Sequence, residues 1–77
     1  MSESINETVS VVLWNNAPYS FSWHGRKYRI KTVGMHHTIR EGRHLFHIFS
    51  VSDDSTFFKL VMDTETLGWK LVATYAV

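Results

Sequence analysis

The sequence contains no cysteine. Disulfide scaffolds, thiolate zinc fingers and thiol catalysis are therefore excluded. A cysteine-free chain also suits a reducing compartment. There is a single proline, Pro18, and only four glycines, Gly25, Gly34, Gly42 and Gly68. The glycines are scattered, so no glycine-rich loop is available to cradle a phosphate. No apolar run approaches the roughly 20 residues needed to span a bilayer. The opening Met-Ser-Glu-Ser-Ile-Asn-Glu-Thr lacks the basic start and apolar stretch of a signal peptide. These absences predict a cytoplasmic protein with no membrane segment. A sustained helical period with caps is missing as well.

What is present is short and aromatic. Seventy-seven residues make one small domain. A chain of this size buries only about 60% of its unfolded surface, so its core is thin. Three tryptophans, five phenylalanines and three tyrosines compensate, because each large ring buries on the order of 150–250 Å².

Residues 1–8 are polar and predict a disordered tail. Residues 9–77 read as a single β domain. Val9 to Trp14 is rich in β-branched residues and predicts a strand. Asn15-Asn16-Ala17-Pro18 is a break. Tyr19, Phe21 and Trp23 then alternate with Ser20 and Ser22. A tight connection follows at His24-Gly25-Arg26. From Lys27 to Thr32 the alternation resumes, and at Gly34 its phase slips. A glycine with a phase change predicts a bulge or sharp bend within one long strand. After a turn at Glu41-Gly42, Leu45 to Val51 is apolar on both faces and predicts a covered central strand. Phe57 to Met62 and Trp69 to Tyr75 complete the set, with a single helical turn allowed near Asp63 to Leu67. The connections are too short for parallel crossovers. The expected fold is all-β: a six-stranded antiparallel meander, either a small barrel or a strongly twisted sheet.

The run Phe21-Ser-Trp23-His-Gly25-Arg26-Lys-Tyr28-Arg-Ile30 resembles the opening motif of a small bacterial domain family of unknown function. That motif is Phe-x-Trp-x-Gly-Arg, then an aromatic or histidine and an aliphatic residue. Phe58-x-Leu60-x-x-Asp63, Trp69-x-Leu71 and Tyr75 resemble the family's closing strands. The similarity covers roughly residues 17 to 75. It breaks between Met35 and Phe46, where a tryptophan-rich segment is expected and none is found. The resemblance implies a fold more than an activity. Some members are encoded near DNA-damage polymerases, which implies a nucleic-acid setting.

The net charge of +1 conceals a segregation. Arg26, Lys27, Arg29, Lys31, Arg40 and Arg43 lie between His24 and His47, with Glu41 as the only acid among them. The rest of the chain sets Lys59 and Lys70 against six acids. Such polarity predicts either an anionic partner or two halves of a domain that neutralise each other. Lys27, Arg29 and Lys31 recur at period two, which spaces them about 6.5–7 Å apart on one strand face. A cationic row with aromatic platforms is the general recipe for holding single-stranded nucleic acid. Arg40 and Arg43 would extend the row, and Trp14 or Trp23 would stack on bases. The plain alternative is a solvated edge strand whose cations discourage aggregation.

All five histidines fall in the same basic segment. His36 and His37 are adjacent, and His44 and His47 are three apart, so neither pair shares a strand face. Across the Glu41-Gly42 hairpin, some registers bring His36 opposite His47. Two ligands fall short of a zinc site, which needs three or more. No metal and no cofactor are expected. Ser20 or Ser22 with His24 lacks a nucleophile elbow, and Asp53-Asp54 is a turn signal. The sequence thus predicts a non-catalytic binding module, with nucleic acid or another polyanion as its partner. The alternative is a protein-interaction or homodimerisation module. It would use an exposed edge at the uncharged last strand, Leu71 to Val77, and an apolar second face around Phe57 and Val61.

Overall fold

Left-handed backbone at two short turns sets the first hairpins. Asn15 (φ 51°) with Asn16 (φ 64°), and His24 (φ 53°) with Gly25 (φ 73°), have positive φ at both central positions. That is the type I′ pattern, whose twist matches paired strands. In a computed structural model, which describes residues 2–76, seven strands result. They are β1 (Ser2–Trp14), β2 (Ala17–Trp23), β3 (Arg26–Arg29), β4 (Thr32–Glu41), β5 (His44–Ser52), β6 (Thr56–Asp63) and β7 (Trp69–Ala76). All pairs are antiparallel. The sheet order is β3-β2-β1-β7-β6-β5-β4. No described helix is long and apolar enough to cross a membrane.

The all-β class and the antiparallel meander stand, with one more strand than expected. The extra strand arises where the alternation looked continuous. Between β3 and β4 the chain turns a corner at Ile30 and Lys31. The Ile30 amide donates to the Tyr19 carbonyl (2.9 Å), and the Lys31 amide donates to the Ser52 carbonyl (2.8 Å). Two residues thus carry the chain from one sheet edge to the other. The edges approach at this corner, but no ladder joins β3 to β4. The sheet is curled and open, not a barrel. Gly34 does mark a bulge, since the β4–β5 register shifts between Val33 and Met35.

Two further expectations are corrected. The stretch 2–8 is the first half of β1, not a tail. Its backbone finds partners on β7, where Ser2 pairs with Tyr75 and Glu7 with Leu71. The β1–β7 register shifts between Ser4 and Glu7. The last strand, for its part, is not an edge. β7 lies between β1 and β6, so its uncharged stretch from Leu71 to Ala76 is not left open to other chains. The long free edge is β4.

Curling folds the β2–β3 hairpin over β5 and β6. Phe21 sits at the centre and is 1% exposed. Its ring stacks on Tyr28 at 5.1 Å and meets the edge of Phe58 at 4.9 Å. Val51, Leu60 and Leu71 are fully buried around it. Ile48 is buried as well, on the opposite face of β5. Pro18 is buried at the β1–β2 irregularity, paired with Leu13, where a missing amide does least harm.

Candidate nucleic-acid interface

The hairpin turn Asn15-Asn16 projects Trp14, which is 69% exposed. Its ring lies 6.5 Å from that of Tyr19. The Arg29 guanidinium sits over the other end of this cluster, 4.1 Å from the Tyr19 centroid. Arg26 lies 5.4 Å from the Tyr28 centroid. Each cation is held by an aromatic face, a contact worth about 0.5–1 kcal/mol at an exposed site. Three strands contribute: β1 brings Trp14, β2 brings Tyr19, and β3 brings Arg29. In the sequence, Tyr19 is one of three alternating aromatics, with nothing to set it apart from Phe21. Its position two residues beyond Ala17, the partner of Trp14, was the available signal.

The cationic row itself is partly as expected. Lys27 and Arg29 share a face of β3, opposite Ser22 and Ser20 respectively. Lys31 lies beyond the strand, at the corner, and its ammonium pairs with Asp54 at 3.1 Å. A shallow groove of about 460 Å³ runs here. Arg26, Lys27, Arg29 and Lys31 line one wall, and the Asp53 to Thr56 turn lines the other. The Asp53 carboxylate accepts from the Ser55 and Thr56 amides, both at 2.8 Å, and so is engaged by its own turn. Among the described residues, no carboxylate lies within ion-pair distance of Arg26, Lys27 or Arg29.

Arg40 and Arg43 do not extend this row. They flank the β4–β5 turn at the far end of β4, roughly 25–30 Å from Lys31 along the strand. Trp23 is half-buried against the core. It stacks on His24 at 4.5 Å, and its indole nitrogen is buried without a partner. It is not part of the exposed platform.

Three acids from the rest of the chain also contact histidines of the basic segment. His24 pairs with Glu7 at 2.7 Å, and His44 with Asp63 at 3.0 Å and Glu65 at 3.4 Å. His36 and His47 meet at 2.8 Å on one sheet face, although the ladder sets His36 against Phe49 and His47 against Thr38. The His36 ring lies flat on Phe49, 4.1 Å away. Among the described residues, no three His, Cys, Asp or Glu side chains are grouped to hold a metal ion.

Asp63 organises the β6–β7 turn. Its carboxylate accepts from the Glu65 amide at 2.8 Å, and its carbonyl accepts from the Leu67 amide at 2.7 Å. The Glu65 amide is the main cause that holds the Asp63 carboxyl below its ordinary range; burial opposes this and the nearby His44 adds to it. A carboxyl depressed on folding stabilises the fold above its unfolded value and loses that contribution as pH falls through the folded value. The urea midpoint is therefore expected to fall below about pH 4. Asp63→Asn should lower the midpoint at neutral pH and flatten the acid limb. Equal acid slopes in the two proteins would exclude Asp63 as a source of the pH dependence.

Comparison with protein-family models, with curated proteins and with solved structures gives no match to this chain. The reading of this surface therefore rests on its geometry.

Proposed function

We propose that this domain is a non-catalytic binding module that holds single-stranded nucleic acid across the β1–β3 surface. The supporting observation is the arrangement of Trp14, Tyr19 and Arg29. An exposed indole, a half-buried phenol and a guanidinium laid on it form a continuous π-cation surface. Bases stack on such surfaces without regard to sequence, at about 1–3 kcal/mol each. Lys27 shares the face of β3 that carries Arg29, has no carboxylate partner among the described residues, and supplies a phosphate contact. Arg40 and Arg43 are too distant to serve the same site. Lys31 contributes less, because an anion must first compete with Asp54 for it.

The test is an amide NMR titration with a short mixed-sequence single-stranded DNA, at low salt and again at about 0.2 M salt. Shifts should cluster on residues 14, 19 and 26–29 and shrink at the higher salt. Trp14→Ala should weaken binding at least tenfold, the equivalent of one lost stacking contact. A spectrum that does not respond to the DNA would overturn the proposal, as would binding that ignores Trp14.

A further inference from the structure

The two sheet edges differ in how they are protected. β3 is four residues long and carries three cations, Arg26, Lys27 and Arg29. β4 is ten residues long, exposed throughout, and has a partner on one side only. Its only Lys, Arg, Asp or Glu residues, Arg40 and Glu41, sit together at one end, and it has no lysine or proline. A long edge with free backbone donors and acceptors and without those defences is a template for another strand.

We propose that β4 pairs antiparallel with the β4 of a second copy of this chain, with the twofold axis at His37. The order of residues around His37 singles out this partner. Met35, His37 and Ile39 share one face of β4, opposite Ser50, Ile48 and Phe46 of β5. Pairing about His37 sets Met35 opposite the partner's Ile39 and Ile39 opposite the partner's Met35. Both apolar residues are now exposed, at 58% and 44%. The junction would bring them into cross-strand contact. On the same face, Ile39, Phe46, Ile48, Val61 and Val72 form the apolar part of an open groove of about 340 Å³ that Asn6, Glu41 and Lys70 also line. The partner's Met35 falls in line with Phe46 and Ile39 and covers the end of that groove. On the other face His36 meets the partner's Thr38. Arg40 and Glu41 meet the partner's Gly34 and Val33, so no two like-charged Lys, Arg, Asp or Glu side chains are opposed. The Gly34 bulge limits the new ladder to the middle of the strand.

The absence of cysteine makes this register directly measurable. His37→Cys introduces a single thiol on the axis, where paired strands hold their Cα atoms about 4.5–5.5 Å apart. That spacing lies within disulfide range. Val33→Cys is the control, because its symmetry mate lies roughly 26 Å away. Under oxidised glutathione at pH 8, His37→Cys should form a covalent dimer and Val33→Cys should not. Light scattering of the unmodified protein across a concentration series should approach twice its mass of 9.0 kDa. Ile39→Lys should return it to a monomer without loss of folding, because β4 is exposed. A protein that stays monomeric would overturn the proposal. So would equal cross-linking of the two cysteine variants, or a dimer that survives Ile39→Lys.

Discussion

Phe21→Ala is expected to unfold most of the protein at room temperature. Domains gain only about 0.05–0.15 kcal/mol per residue of net stability, so 77 residues give roughly 4–12 kcal/mol. A thin core places this domain toward the lower figure. Removing a buried phenylalanine costs about 3–5 kcal/mol, part lost transfer energy and part cavity. Phe21 is the position where that cost is largest. It is buried, it stacks on Tyr28, and it meets Phe58 across the curl of the sheet. Its loss would detach the β2–β3 hairpin from β5 and β6 and also loosen the Trp14–Tyr19–Arg29 surface. Trp23→Ala should cost less, because Trp23 is half-buried and leaves its indole nitrogen unpartnered. Urea unfolding followed by tryptophan fluorescence separates the two. A Phe21→Ala midpoint equal to that of Trp23→Ala would contradict this account of the core.

The double reversal Lys27→Glu with Arg29→Glu is expected to remove nucleic-acid affinity while leaving the fold intact. Both side chains are exposed on β3, so stability should change little beyond the Arg29–Tyr19 contact, about 0.5–1 kcal/mol. Binding should respond far more. Each phosphate neutralised on a single strand contributes about 0.7 to the slope of log affinity against log salt. Losing two contacts should therefore lower the slope by about 1.4. The reversed charges should also depress affinity well beyond tenfold at low salt. Arg40→Glu with Arg43→Glu serves as the matched control. It makes the same change in net charge at the far end of β4. Equal losses in the two variants would mean that binding follows overall charge, not the β3 surface.

The parts of the fold that depend on near neighbours in the chain were legible in the sequence. Alternation around Phe21 marked the inner face of β2. The slip at Gly34 marked a bulge, and the two-sided apolar run marked β5. His36 and His47 could be placed near each other from the turn between them. What depends on distant partners was not legible. Nothing local shows that Ile30 and Lys31 break an alternating run and carry the chain to the other edge of the sheet. The placement of β7 in the middle of the sheet depends on residues 2–9, whose polar composition conceals a strand. Trp14 is legible as a stacking residue, whereas Tyr19 is one of three alternating aromatics. Its role emerges only when Arg29 is brought across from β3.

The sheet order has a kinetic side. Strands β1 to β3 form one set of hairpins and β4 to β7 another, each closed by short connections. A single ladder, β1 against β7, sews the two sets together. Along it Val9 meets Trp69, about 60 positions away in the chain. Closing a loop that long costs about 2–3 kcal/mol more chain entropy than closing a tight hairpin. The sets are otherwise joined through the Ile30–Lys31 corner and the core contacts around Phe58. The molecule is built as two local pieces with one late seam, and that seam is where the chain should open first.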